Sequence, residues 1–176
     1  MEAGEPLVEL THMLGYAPLL YLAKSLQERL NALLAQDMCG EDALYRFGLM
    51  LAKERAVKCE VQCGMLILGL YENDMARAVL RTLGLHSTFT ATAVLAIADW
   101  RSANPFLFDL AQHTDGYGSL AAICRLHPVA DHQRTWLFEH GMDCAVARHP
   151  RSIELMRKPD MLPKYTSAPD ADLQRL

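Results

Sequence analysis

Cys59 and Cys63 stand four residues apart, a spacing that puts both thiols on one face of a helix. Two such thiolates could supply half of a tetrahedral zinc centre, with Cys124 and His127, three residues apart, as the other half. A CxxxC pair on a helix is a far weaker signal than paired CxxC knuckles. Cysteine among apolar neighbours more often packs as a small hydrophobe, which is the expected role here. The seven histidines are His12, His86, His113, His127, His132, His140 and His149, and none stands in an HExxH, HxxxH or 2-His-1-carboxylate pattern. His132 and His140 would lie about 12 Å apart along a helix rising 1.5 Å per residue, too far to share one ion. No GxSxG occurs, and the segment before Gly118-Ser119 is not the strand that a nucleophile elbow requires. Asp115-Gly116-Tyr117-Gly118 has the glycines of a phosphate cradle but lacks GxxxxGK[ST]. It reads as a turn between helices. An enzyme would need Asp99, Arg101, His113 and Asp115 to converge in one pocket. The expectation is therefore no catalytic residue, no metal and no cofactor.

These residues sit on elements whose periodicity is helical almost throughout. From Leu19 the apolar positions Leu22, Ala23, Leu26, Leu30, Leu33 and Leu34 recur every three or four residues, with Lys24, Gln27, Glu28, Arg29 and Asn31 between them. Pro18 suits a helical first turn, and Gly40 suits a stop. This predicts a helix over 19–36 within an N-terminal capping region, 6–40. No segment alternates with period two, so no strand is expected.

Beyond residue 40 the chain repeats. Helices are expected over 41–53 and 55–71, then 74–83 and 88–100, then 105–113 and 118–126, with a further one over 131–140. The units start at Asn73-Asp74, Asn104-Pro105 and Asp131-His132, spaced by 31 and then 27 residues. Asn and Asp are good helix N-caps because their side-chain oxygens accept from otherwise unpaired first-turn N–H groups. Periods of this length are the mark of stacked helix pairs. The second helix of each pair is the greasier one, as in Met65-Leu66-Ile67-Leu68, Ala93-Val94-Leu95-Ala96-Ile97 and Leu120-Ala121-Ala122-Ile123. A helix apolar on several faces must be covered on more than one side, which neighbouring pairs can do for one another. Pro150, Pro159, Pro163 and Pro169 forbid a long helix near the end. The expected layout is a repeat domain over 1–158, with repeats at 41–148, and a proline-rich tail over 159–176.

The run Asn104-Pro105-Phe106-Leu107-Phe108, the turn Asp115-Gly116-Tyr117-Gly118, the break Arg125-Leu126-His127-Pro128 and the pair Trp136-Leu137 before Gly141 together resemble bacterial HEAT-like repeat proteins. The resemblance covers about 40 residues closely and 41–100 by pattern. It implies an all-α fold, a short right-handed α-solenoid of HEAT-like helix pairs. It implies no activity, since such arrays are chiefly recognition surfaces. The 27- and 31-residue units are shorter than the roughly 40 residues of HEAT units.

Composition sets the remaining bounds. The chain has 176 residues, 51% of them hydrophobic, and a formal charge of −4. At about 150 residues one core already buries roughly 70% of the unfolded surface. Five cysteines are too few and odd in number for a disulfide framework. Met65–Leu70 and 91–98, the longest apolar runs, fall far short of the roughly 18 residues of a membrane span. The acidic start Met1-Glu2-Ala3-Gly4-Glu5 lacks the basic region of a secretion signal, so a cytoplasmic protein with reduced thiols is expected. Residues 1–144 carry 11 Lys or Arg against 17 Asp or Glu, and 145–176 carry 6 against 4. Some HEAT-like arrays resemble DNA glycosylases with a basic groove, but an acidic body lacks that footprint, and no nucleic acid or membrane partner is expected. The reading is a protein-binding module, an immunity or antitoxin-type protein that neutralises a basic effector toxin; a scaffold or adaptor subunit is the alternative, and an enzyme on the concave face ranks below both. The binding residues singled out on the concave or edge surface are Asp99, Trp100, Arg101, His113, Asp115 and Tyr117. Trp, Tyr and Arg are the types that anchor interfaces, although packing between repeats is the commoner fate of Trp100 and Trp136.

Overall fold

A computed structural model describes residues 19–141. Within them are eight helices and no strand: α1 (Leu19–Ala35), α2 (Glu41–Glu54), α3 (Lys58–Leu68), α4 (Asp74–Gly84), α5 (Ser87–Ala96), α6 (Ala103–His113), α7 (Gly116–Arg125) and α8 (Asp131–His140). The all-α expectation holds for these residues. The expectations for 6–18, for 142–158 and for the tail 159–176 fall outside them.

Helices pack as sequential pairs: α2 on α3, α4 on α5, and α6 on α7. The second helices form a row in which α3 packs on α5 and α5 on α7, while α2, α4 and α6 touch in turn more lightly. That row lies at the centre of the core, to which the flanking helices add residues such as Leu51, Leu80, Leu110 and Leu137. In α3 every residue from Glu60 to Leu68 is buried, and α5 buries Thr90, Thr92, Ala93, Val94 and Ala96. The outer helix α4 buries only Ala76, Leu80 and Gly84, a single stripe at four-residue spacing. The α2–α3 pair is close because Gly64 has no side chain: a Cβ there would lie 2.6 Å from Ala52 N and 2.8 Å from Gly48 O.

Bonds between successive pairs span 23 to 31 residues. Gln62 Nε2 donates to Thr92 Oγ1 at 2.9 Å across 30 residues, and Trp100 Nε1 donates to Gly69 O at 2.6 Å across 31. Arg81 forks onto Asp109 at 2.7 and 3.0 Å across 28. These bonds tie each pair to the next.

Helix α1 covers α3 and α5, and its buried stripe is Leu19, Ala23 and Gln27. The sequence pattern places Gln27 on the polar face; the structure buries it at 9% exposure. The cause lies in how α3 and α5 end. Leu70 N bonds to Ile67 O and Trp100 N to Ile97 O, tightening both ends by one residue. This frees the carbonyls of Leu66 and Ala96, and Gln27 Nε2 donates to both, at 3.2 and 3.0 Å. The same tightening explains why α3 and α5 stop at Leu68 and Ala96 rather than at the expected 71 and 100.

Two further expectations need correction. Asn73 caps α4 by accepting from Ala76 N at 2.9 Å, as expected. Asn104, however, lies inside α6 and pairs both ways with His127, donating to its carbonyl at 2.7 Å and accepting from its N–H at 2.8 Å. Glu54, Lys58 and Glu60 read from the sequence as a solvated helix face, but Glu60 is buried and held by Arg55 at 2.8 and 3.0 Å, which offsets the cost of burying a carboxylate.

Candidate binding site

Residues that break the helices gather along one edge. Tyr71 Oη donates to Glu41 O at 3.1 Å, tying the end of α3 to the start of α2, and Tyr45 Oη donates to Asn73 Oδ1 at 3.2 Å. Glu72 accepts from Arg101 N at 3.0 Å and Ser102 N at 2.9 Å, and the Ser102 hydroxyl also donates to it. These bonds hold the Glu72 carboxyl below its ordinary range, the Ser102 hydroxyl first and the Ser102 N–H next, with burial opposing and Arg101 N–H and Arg77 assisting. The edge continues through the Asn104–His127 clamp to the start of α8, where Gln133 Oε1 accepts from Val129 N at 3.1 Å and Ala130 N at 3.3 Å.

The six residues singled out from the sequence divide between this edge and the opposite one. Asp99, Trp100 and Arg101 lie in the connection before α6, while His113 ends α6, Asp115 lies between α6 and α7, and Tyr117 is in the first turn of α7. An 11-residue helix separates the groups by about 15 Å, so the fold does not gather Asp99, Arg101, His113 and Asp115 into one pocket. Trp100 is buried at 7% exposure, its N–H bonded to Gly69 O, with Phe106 edge-on at 6.1 Å and the Arg77 guanidinium 5.5 Å over its ring. Asp99 and Arg101 are exposed. On the opposite edge His113 Nδ1 lies 2.8 Å from Asp109 O, and Asp109 also holds Arg81. Asp115 caps α7 by accepting from Gly116 N at 2.6 Å, and Gly116 has φ of 63°, a left-handed conformation that glycine adopts without strain. The glycine turn thus opens a helix. Tyr117 is 71% exposed.

Comparison of the chain with protein-family models, with curated proteins and with solved structures gives no match. Function has to be read from the site itself.

The bonded edge carries an open cleft of about 440 Å³ between the end of α5, the start of α6 and the end of α7. Arg101, Arg125 and His127 line it, above a floor that includes Val94, Trp100 and Leu107. Arg125 and His127 are the residues that sequence reasoning missed for binding. No local pattern marks them, because the Asn104 clamp that places His127 spans 23 residues. Before the cleft the same edge is acidic: Glu41, Asp74 and Asp99 are all exposed, and none forms an ion pair among the described residues.

The zinc pairing of Cys59 and Cys63 with Cys124 and His127 would join α3 to α7, which α5 separates. No group of three or more His, Cys, Asp or Glu among the described residues is placed to hold a metal. Cys63 is buried and its thiol is pushed up to about 11, by desolvation first and by neighbouring Cys59 second. Such a thiol stays protonated at neutral pH and is a poor nucleophile or ligand. No helix among the described residues is long and apolar enough to cross a membrane.

Proposed function

We propose that this chain is a protein-binding helical-repeat module, a short right-handed α-solenoid of HEAT-like pairs, whose partner is a basic effector that it holds and neutralises as an immunity or antitoxin-type protein. The observation that carries the reading is the bonded edge, where Glu41 and Asp74 open α2 and α4 and Asp99 lies in the connection before α6, on backbone braced within and between pairs. Braced backbone lowers the ordering cost of association, and a line of carboxylates steers and orients a basic surface. Three further acids of this edge, Asp42, Glu72 and Asp131, already have intramolecular partners in Arg46, Arg77 and Arg134, which leaves the other three for a partner.

The reading is tested by capture with the full chain from its native cell, in parallel with the triple variant Glu41→Lys, Asp74→Lys and Asp99→Lys. The expected result is a reproducible partner of basic charge, retained in low salt and lost with the triple variant. No reproducible partner, or undiminished capture by the variant, would overturn it.

A further inference from the structure

The cleft at the far end of the edge has the opposite charge character from the acidic row. Among the described arginines, Arg46, Arg55, Arg77, Arg81 and Arg134 each reach a carboxylate within 4.0 Å. Arg29, Arg101 and Arg125 do not, and of these Arg101 and Arg125 face the same cleft, with His127 beside them and no carboxylate in its lining. Glu72, the acid nearest in the bonded network, spends its oxygens on the backbone of Arg101 and Ser102 and on the Ser102 hydroxyl. The floor is rigid. Trp100 is fixed by its bond to Gly69 O and by Phe106 and Arg77, and His127 is fixed at its backbone by Asn104. The volume lies within the roughly 300–1,000 Å³ of small-molecule sites, which pair apolar walls with a few placed polar groups.

We propose that this cleft binds a small organic acid, its anionic head between Arg101 and Arg125 and its apolar stem against Trp100 and Leu107. Two guanidinium groups with planar forks of donors match an oxyanion, and the partly desolvated floor strengthens the pairing. The site needs no partner protein, so its failure and the failure of the effector-binding reading are separate results.

The full chain, labelled for NMR, is titrated with phenylacetate, with phenyl phosphate and with 2-phenylethanol as the uncharged analogue. Saturable shifts of the Trp100 indole N–H and the Leu107 methyls are expected with one or both anions and not with the alcohol; the tighter anion identifies the head group. Arg101→Gln and Arg125→Gln, both at exposed side chains, should each weaken binding about tenfold, whereas Arg29→Gln on α1 should leave it unchanged. The proposal is overturned if neither anion shifts these signals, if the alcohol binds equally well, or if the two arginine variants bind like the wild type.

Discussion

Cys63 shows how far a residue's chemistry is decided by what surrounds it. Its thiol titrates near 11 instead of the ordinary 9.0, chiefly because α3 is covered on several sides. Above about pH 9 the unfolded thiol ionises while the folded one stays protonated, so the unfolded chain binds fewer protons and stability falls as pH rises towards 11. We expect a Cys63→Ala variant to lose less stability than the wild type between pH 9 and 11, measured by urea denaturation. We also expect exposed Cys124 to alkylate well before Cys63 at pH 8. Equal pH slopes for the two proteins would contradict this account. The packing role of Cys63 was legible in its apolar neighbours Val61, Met65 and Leu66. Glu60 was not, because a carboxylate on a helix looks solvated until the residue that covers it, here Arg55, is placed beside it.

At the scale of the element, α1 is joined to the body by Gln27, which satisfies one carbonyl from each of two successive inner helices. Removing its amide leaves both carbonyls buried without this donor, at a cost of about 2 kcal/mol for groups of this kind. Gln27→Ala should therefore lower the unfolding free energy by that amount, seen as a lower urea midpoint at unchanged slope, and raise amide hydrogen exchange through Leu19–Ala35 before it rises in α3. Gln27→Glu should be at least as damaging, since an ionised carboxylate cannot donate. An unchanged midpoint in both variants would show that α1 is held by its apolar stripe alone. The order of the eight helices was readable from three- and four-residue apolar spacing in helices such as α1 and α4 and from all-round apolar runs in α3 and α5. Their ends were less so. The stops at Leu68 and Ala96 depend on two i→i+3 turns that serve Gln27, a contact reaching 39 and 69 residues along the chain, and no local pattern encodes it. Asn104 failed as a predicted cap for the same reason: its amide is taken by His127, a partner supplied by the next pair.

Over the described residues, hydrogen bonds tie each helix pair to the next. The expected starts are spaced by 31 and 27 residues, and the bonds between neighbouring pairs span 23 to 31. This register places the end of each inner helix beside the start of the next outer helix, so one edge collects Glu41, Asp74, Asp99 and the Arg101–Arg125 cleft. Net charge alone suggested an acidic surface without a location. The edge supplies one, and it also divides the six residues singled out from the sequence, leaving His113, Asp115 and Tyr117 at the far end of α6. The effector reading depends on the Asp99 edge and not on that turn.

The most direct measurement is amide hydrogen exchange of the full chain, free and bound to its captured partner. The account predicts new protection at Glu41, across 72–74 and across 99–102, with little change at 113–117. Protection confined to 113–117 or to α1, with the edge unaltered, would contradict it.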